Sequence, residues 1–476
     1  MRPSDRGLRR LLPPWTLAAL AAGSLVSCSA PGATLSPAVR PMVERPNVVL
    51  ILSDDHRSDH LSCAGHPVLE TPHLDRLAAE GTRFVNAFVT TPICASSRAT
   101  ALTGLNERSH EYTFGMPGLD EAEAASSYPV RLREAGYRTG FVGKFGLSAG
   151  AGYGERAFDT WRPMMRAPYW KEQADGTRRH VTDLIGDEAV AFVATEDARP
   201  WCLSISFNAG HAEDHDKVDH YPWPDAEDGR YEGVDLPQPV LGEAAFDALP
   251  PFLRESMGRV RWGWRWDTPT KYDRNLRAYY RLLSGMDRNV GRVLAALEET
   301  GQLEDTLILF MGDNGYAMAE RGLAGKWTHF EESLRVPLLA RGPGVAIGAL
   351  EARTALNTDL APTVLAAAGV EVGPRSGRPL QPLLAASPAT PWRMGFRCEH
   401  GFQPGNIPRW VGWRTPRMKY ARYTDQDPPF EFLHDLTADP LEQHNLAADP
   451  AYADWLERLR ALALEAGEPV QAPRRG

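Results

Sequence analysis

Asp54-Asp55 and Asp313-Asn314 are two short polar clusters at the ends of apolar runs, and together they offer a ligand set made only of oxygen. Such donors suit a hard cation, Ca²⁺ ahead of Mg²⁺, and serve zinc poorly, because zinc favours nitrogen and sulfur. Calcium takes about 6 to 8 oxygens, so bidentate carboxylates and a bound substrate must complete the shell. Either cluster alone reads as a solvated turn. What points to a site is their joint placement with Gly143-Lys144 and His211, which follow two further apolar runs. Three carboxylates and a divalent cation leave −1, and Arg98, Lys144 and Lys326, where they converge, bring the total to +2. An anionic ester is then held locally although the whole chain carries a formal net charge of −9.

The elements that must bring these residues together are legible in the apolar pattern. Asn47-Val48-Val49-Leu50-Ile51-Leu52 is continuous rather than alternating, as in a strand buried on both faces of a mainly parallel sheet. Similar runs recur at residues 139–142, 202–207 and 306–311. Between them lie helical patterns. Thr71-Pro72 opens one that Gly81 closes, and residues 272–299 carry Leu276, Tyr279, Leu283, Met286, Val290, Val293 and Leu297 at helical spacing. This alternation predicts an α/β domain with helices on both faces of the sheet, and its functional residues collect where the strands end. After Pro374 the pattern shifts to short strands near 410–413, 419–423 and 430–434 and a last helix near 451–466, a small antiparallel α+β unit.

Residues 92–104 read Pro-Ile-Cys-Ala-Ser-Ser-Arg-Ala-Thr-Ala-Leu-Thr-Gly. This resembles the sulfatase signature C-x-P-S-R followed by a helix and Leu-Thr-Gly, in which the cysteine is oxidised after synthesis to formylglycine. Residues 47–55, 71–84, 136–143, 313–315, 325–327, 335–337, 359–363 and 435–446 also resemble sulfatase stretches, in order, so the likeness spans almost everything from Arg45 onward. It implies an alkaline-phosphatase-like large domain with a mainly parallel central sheet flanked by helices, and a smaller C-terminal α+β domain with an antiparallel sheet. We place the catalytic domain at residues 47–373 and the C-terminal unit at 374–476. The resemblance also implies one calcium ion bound by Asp54, Asp55, Asp313, Asn314 and the modified Cys94. Cys94, as an aldehyde hydrate, is then the nucleophile, with one hydroxyl attacking sulfur and the second kept for release of sulfate. Asp313 accepts the attacking hydroxyl's proton, Arg98 holds the hydrate, Lys144 and Lys326 neutralise sulfate oxygens, and His211 or Lys326 protonates the leaving alkoxide. A formylglycine-generating maturation enzyme is a required partner.

Three positions depart from the pattern. Ser96 replaces the signature proline, and Gly146 stands where many sulfatases carry a histidine that acts on the second hydroxyl, leaving His110 or His215 to substitute. Arg321 occupies a position where histidine is frequent, which points to altered substrate contacts. The acidic, aromatic stretch 214–268, with His215, Trp223, Trp262, Trp264 and Trp266, offers ring faces for stacking on sugars, so a sulfated carbohydrate is the expected substrate. The same tryptophans equally fit the packing of an irregular insertion. Two other readings stay open at this stage. One is a phosphodiesterase or phosphonate monoester hydrolase of the same superfamily; the other is a catalytically silent lipoprotein that binds sulfated glycan.

The N-terminus sets the compartment. Arg2, Arg6, Arg9 and Arg10 precede an uncharged apolar stretch from Trp15 to Val26, the pattern of a signal peptide over residues 1–27. Leu25-Val26-Ser27-Cys28 resembles a bacterial lipobox, which makes Cys28 an acylated membrane anchor and residues 28–46, rich in Pro, Ala and Ser, a tether. An exported lipoprotein, periplasmic or attached to the outer membrane, is the expectation. Removing residues 1–27 takes away four arginines and Asp5, leaving 48 basic against 60 acidic side chains, a formal −12. That balance excludes nucleic acid as a partner. Cys63, Cys94, Cys202 and Cys398 lack metal-type spacing or a disulfide framework.

Overall fold

The computed structural model describes residues 37–216, 218–388, 390–401 and 406–465. Cys28, the signal peptide and residues 28–36 of the expected tether lie outside these residues, whereas residues 38–40 pair with 345–347 instead of hanging free of the domain. Eight strands form the central sheet: β1 (Asn47–Ser53), β2 (Thr82–Phe84), β3 (Arg138–Gly143), β4 (Thr160–Pro163), β5 (Trp201–Ser206), β6 (Thr306–Gly312), β7 (Leu338–Arg341) and β8 (Ala349–Glu351). Their order across the sheet is β8-β2-β7-β6-β1-β5-β3-β4. The inner pairs β1–β5, β1–β6 and β3–β5 are parallel, and β7 alone runs antiparallel to both of its neighbours. All four runs expected as buried strands are strands.

Continuous apolar runs were expected to feed two cores, and they do. Val48, Leu50, Leu307 and Leu309 point into one core, while Val49, Ile51, Ile308 and Phe310 point into the other. On the first face lie α2 (Cys94–Thr103) and α5 (Leu360–Ala367); on the second lie α1 (Pro72–Ala79), α3 (Val181–Ala194) and α4 (Pro269–Glu299). α4 begins at Thr268, whose side chain accepts Lys271 N–H at 3.2 Å, with Pro269 at the first helical position. Midway, Gly291 admits the His73 ring, since a Cβ there would lie 2.5 Å from it. Among the described residues no helix is long and apolar enough to cross a membrane.

The C-terminal sheet has one strand more than the sequence pattern indicated. Phe396–His400 (β9) pairs antiparallel with Trp410–Arg414 (β10), followed by Met418–Tyr423 (β11) and Phe430–Asp435 (β12). Phe396-Arg397-Cys398-Glu399 alternates apolar and polar as a half-buried strand does, and a reading built on continuous apolar runs passes over so short an alternation. One face of this sheet packs on α6 (Ala453–Leu464) through Val411, Tyr420, Leu433 and Leu459. The other face, with Cys398, Trp410, Ala421 and Phe432, joins the first core of the large sheet. Between residues 214 and 268 the chain is mostly irregular, as expected of an insertion, with four short helices among the described residues, of which Met257–Arg265 is the longest. Trp266 there is core, edge-on to Tyr272 and beside Tyr221. Cys63, Cys94, Cys202 and Cys398 are all free thiols.

Candidate active site

β1, β3, β5 and β6 all end along one edge of the sheet, so Asp54-Asp55, Lys144, the loop carrying His211 and Asp313-Asn314 meet there. α2 delivers the fifth component, because Cys94 is its first residue, with the extended Ile93 before it and free N–H groups pointing out of its first turn. Arg98, one turn on, lies on the same helix face as Cys94. Gly143 makes the exit from β3 feasible: at φ 104° it passes so close to Ser206 that a Cβ would sit 2.0 Å from that carbonyl oxygen. Asp55 takes up a left-handed φ of 49°, a conformation uncommon outside glycine, and Tyr279 OH donates to its carbonyl at 2.8 Å.

The side chains close into one buried network. Arg98 Nε donates to Asp313 Oδ2 at 2.7 Å and its Nη1 to Lys144 O at 2.8 Å and to Ser206 Oγ. Lys144 Nζ pairs with Asp54 Oδ2, and Lys326 Nζ with Asp55 Oδ1. Asn314 Nδ2 donates to the same Asp55 oxygen at 2.7 Å, and Asp55 N–H donates to Asp313 Oδ1 at 3.2 Å. Cys94, Asp54 and Asp313 bring one ligand atom each within 4.8 Å of one another, and so do Asp54, Asp55 and His211. His211 Nδ1 contacts Ala212 O at 2.8 Å, so that nitrogen carries the proton and Nε2, 3.7 Å from Asp55 Oδ2, is bare.

Burial works against the Asp54 charge, yet Lys144, His211, Lys326 and Arg98 hold its carboxyl well below the usual range. Burial and the Asp54 charge push Asp313 the other way, up to about 6, outweighing Arg98. Lys326 stays protonated against burial because Asp55 raises it, whereas burial drives His211 well down. Asp54 Oδ1, Asp55 Oδ2 and Asn314 Oδ1 are buried and accept no hydrogen bond. An orphaned buried acceptor costs about 1–3 kcal/mol, and a hard divalent cation is the ligand this all-oxygen trio fits.

Nine of the residues singled out by sequence therefore come together: Asp54, Asp55, Cys94, Arg98, Lys144, His211, Asp313, Asn314 and Lys326. Three do not. His110 is buried with both ring nitrogens in use, Nε2 at 3.0 Å from Thr100 Oγ1 and Nδ1 accepting Tyr112 N–H at 3.1 Å, and burial lowers it to about 4. Arg321 turns toward the C-terminal sheet, donating to Glu332 Oε1 at 2.7 Å and to Leu441 O. His215 is exposed, unlike the buried residues of the cluster. Arg166 and Glu107 escaped the sequence reading. Arg166 donates to Ala212 O at 3.1 Å, one residue beyond His211, and no motif surrounds it. Glu107 lies beneath α2, 3.0 Å from Ser96 Oγ, and its only sequence signal is a place three residues after the helix-ending Gly104.

The sulfatase family model matches residues 46–370, and a model described as N-sulphoglucosamine sulphohydrolase, C-terminal, matches 319–466. A choline-sulfatase of Rhizobium meliloti is 32% identical, with 85% of this chain and 83% of that protein aligned. An N-acetylglucosamine-6-O-sulfatase of Bacteroides thetaiotaomicron is 27% identical over 95% of this chain and 90% of its own. A protein solved with its substrate D-glucosamine-2-N,6-O-disulfate superposes with a TM-score of 0.75 at 25% identity, covering 89% of this chain and 97% of that one. A strand-end carboxylate cluster, a cysteine opening a helix beside it and a family match over most of the chain lead to one conclusion: the chain belongs to the sulfatase family and is a sulfuric ester hydrolase.

Proposed function

We propose that the enzyme removes sulfate from a carbohydrate, using Cys94 matured to formylglycine and a calcium ion at Asp54, Asp55, Asp313 and Asn314. The carbohydrate is favoured over a choline-type ester by the positive charge beside the His211 loop. Arg166, Arg261 and Arg265 surround the single carboxylate Asp214 there, and a quaternary ammonium would be repelled. The names of the relatives that act on glucosamine derivatives support the same choice.

A cation bound by the orphaned oxygens would polarise a sulfate oxygen and lower the pKa of the nucleophile. The hydrated formylglycine would supply one hydroxyl for attack on sulfur and retain a second for release of sulfate. The chain's own groups do the rest. Arg98, fixed by Asp313, Lys144 O and Ser206, orients the side chain at position 94. Asp313 takes the attacking hydroxyl's proton. Lys144 neutralises charge on the sulfate. Lys326 keeps its proton beside Asp55 and can hydrogen-bond the leaving oxygen, whereas His211 Nε2 is bare and has no proton to give. Cys28 would tether the exported enzyme to a membrane through the residues that precede the packed segment 38–40.

Sulfate release from a panel of aryl sulfates, sulfated sugars and aryl phosphonates is the test, with Cys94→Ala as control and the mass of the Cys94 peptide measured in parallel. We expect release from sulfated sugars that is lost in the variant, and an aldehyde mass at position 94. An unmodified thiol in protein from its native host, or turnover of phosphonates alone, overturns the reading.

A further inference from the structure

Three arginines share one carboxylate beside the loop that carries His211. Arg265 Nη2 pairs with Asp214 Oδ1, Arg261 Nη2 lies 3.2 Å from Oδ2, and Arg166 Nη2 lies 3.4 Å from the same oxygen. Among the described residues no other carboxylate pairs with any of them, so the group carries +2. Neighbouring Glu213 interacts with Tyr169 and Lys171 instead. Arg265 is fully buried and tied to Tyr316 OH at 3.2 Å, whereas the side chains of Arg166 and Arg261 keep 20% and 15% of their surface open.

Both half-open arginines are fixed to neighbours of the catalytic cluster. Arg166 Nε holds Ala212 O, next to His211. The Arg261 guanidinium sits 4.7 Å over the Trp327 ring, next to Lys326, and Trp327 N–H in turn holds Pro92 O, two residues before Cys94. Burial opposes the Arg166 charge, and Tyr169, Asp54, Asp214 and Cys94 together raise its pKa. Arg261 Nε is buried and makes no hydrogen bond. A planar guanidinium held in place by stacking is preorganised for a carboxylate or sulfate.

We propose that Arg166 and Arg261, backed by Arg265, form a subsite for a second anionic group on the substrate, so that the preferred substrate is a sugar carrying the scissile sulfate and a further sulfate or carboxylate. This rests on the carbohydrate-sulfatase reading above. The matured holoenzyme is assayed for sulfate release on four probes: an aryl sulfate, a monosulfated N-acetylglucosamine, a glucosamine with an added N-sulfate, and a sulfated disaccharide containing a uronic acid. The wild type is expected to prefer at least one doubly anionic probe over the monosulfated sugar by about tenfold or more in kcat/KM. Which of the two is preferred tells sulfate from carboxylate. Arg261→Gln and Arg166→Gln should cut that ratio about tenfold, chiefly through KM, while Arg261→Lys retains part of it. In the wild type, added salt should raise KM for the preferred doubly anionic probe more steeply than for the monosulfated one. Equal kcat/KM for singly and doubly anionic sugars, equal salt dependence, or an unchanged ratio in both folded glutamine variants refutes the subsite while leaving the sulfatase intact. No release from any probe by matured enzyme sinks the carbohydrate reading itself, so the two failures are distinct.

Discussion

Replacing Glu107 by glutamine should make the protein progressively more stable than the wild type as pH rises. Glu107 is buried beneath the helix that begins at Cys94; its carboxyl lies 3.0 Å from Ser96 Oγ and accepts from Thr91 Oγ1 at 3.2 Å and Gly401 N–H at 3.3 Å. Ser96 Oγ is also 2.7 Å from Tyr112 O. A hydroxyl has one proton, which goes to that carbonyl, so the contact between Glu107 and Ser96 needs a proton on Glu107. Burial and the Glu399 charge push the carboxyl from 4.5 up to about 8, in agreement. Below pH 4.5 folded and unfolded chains both hold this proton, and the stabilisation is complete. From there to pH 8 only the folded chain holds it, and stability falls by about 1.36 kcal/mol per pH unit, or about 5 kcal/mol in all. Glutamine offers an N–H to Ser96 and a carbonyl to the other two donors without ionising. Urea unfolding followed by tryptophan fluorescence between pH 5 and 9 reads the difference directly. A gap between variant and wild type that does not widen with pH refutes a protonated Glu107.

Three further outcomes follow from the same geometry. Chelation should abolish sulfate release, and calcium should restore it more fully than magnesium, because the orphaned oxygens of Asp54, Asp55 and Asn314 need a hard ion with a loose shell; activity that survives exhaustive chelation contradicts this. Lys419 is fully buried, pairing with Glu442 and, at 3.2 Å, with Glu331, so Lys419→Met strands buried charge and should cost about 3–5 kcal/mol by thermal unfolding. Trp410 Nε1 donates to Trp327 O at 2.6 Å, linking the small sheet to the loop that carries Lys326. Trp410→Phe should lose about 1 kcal/mol of stability and raise KM, and an unchanged KM would show that the loop does not need this tie.

Much of this architecture is written in local pattern. The four buried strands, the 31-residue α4 and the polar residues at the strand ends all follow from periodicity, because one apolar run and its terminal carboxylates are adjacent in the chain. What escaped are contacts that only the fold creates. Arg166 has no motif around it, and its place beside His211 depends on a hydrogen bond spanning 46 positions. His110 was given a catalytic alternative because its sequence neighbourhood fits, yet Thr100 and Tyr112 claim both its nitrogens. Arg321 met the same fate through Glu332 and Leu441. A side chain's type is legible in one dimension, whereas what already occupies its polar atoms is not. Ser96 is the converse case. It looked like a defect in the signature, and the structure gives its hydroxyl two partners that a proline could not have.

Gly146 sharpens the point. It stands where the sulfatase pattern expects a histidine, and the simple view is that an imidazole was lost there and returning it would help turnover. The backbone says otherwise. Gly146 has φ 71°, and a Cβ added to it would meet Arg98 Cδ and Lys144 Cε, each at 3.2 Å. A β-carbon in that left-handed conformation costs about 1–2 kcal/mol, and the crowding falls on the two cations that grip Asp313 and Asp54. Gly146→His and Gly146→Ala should therefore both lower sulfate release, by a similar factor, since the damage comes from the β-carbon rather than from the ring. Faster turnover in the histidine variant with an unchanged melting temperature would refute this. Here glycine lets Arg98 and Lys144 lie close enough to share the space that a histidine side chain would otherwise fill, so the departure belongs to the packing of the cation pair and cannot be reversed by itself.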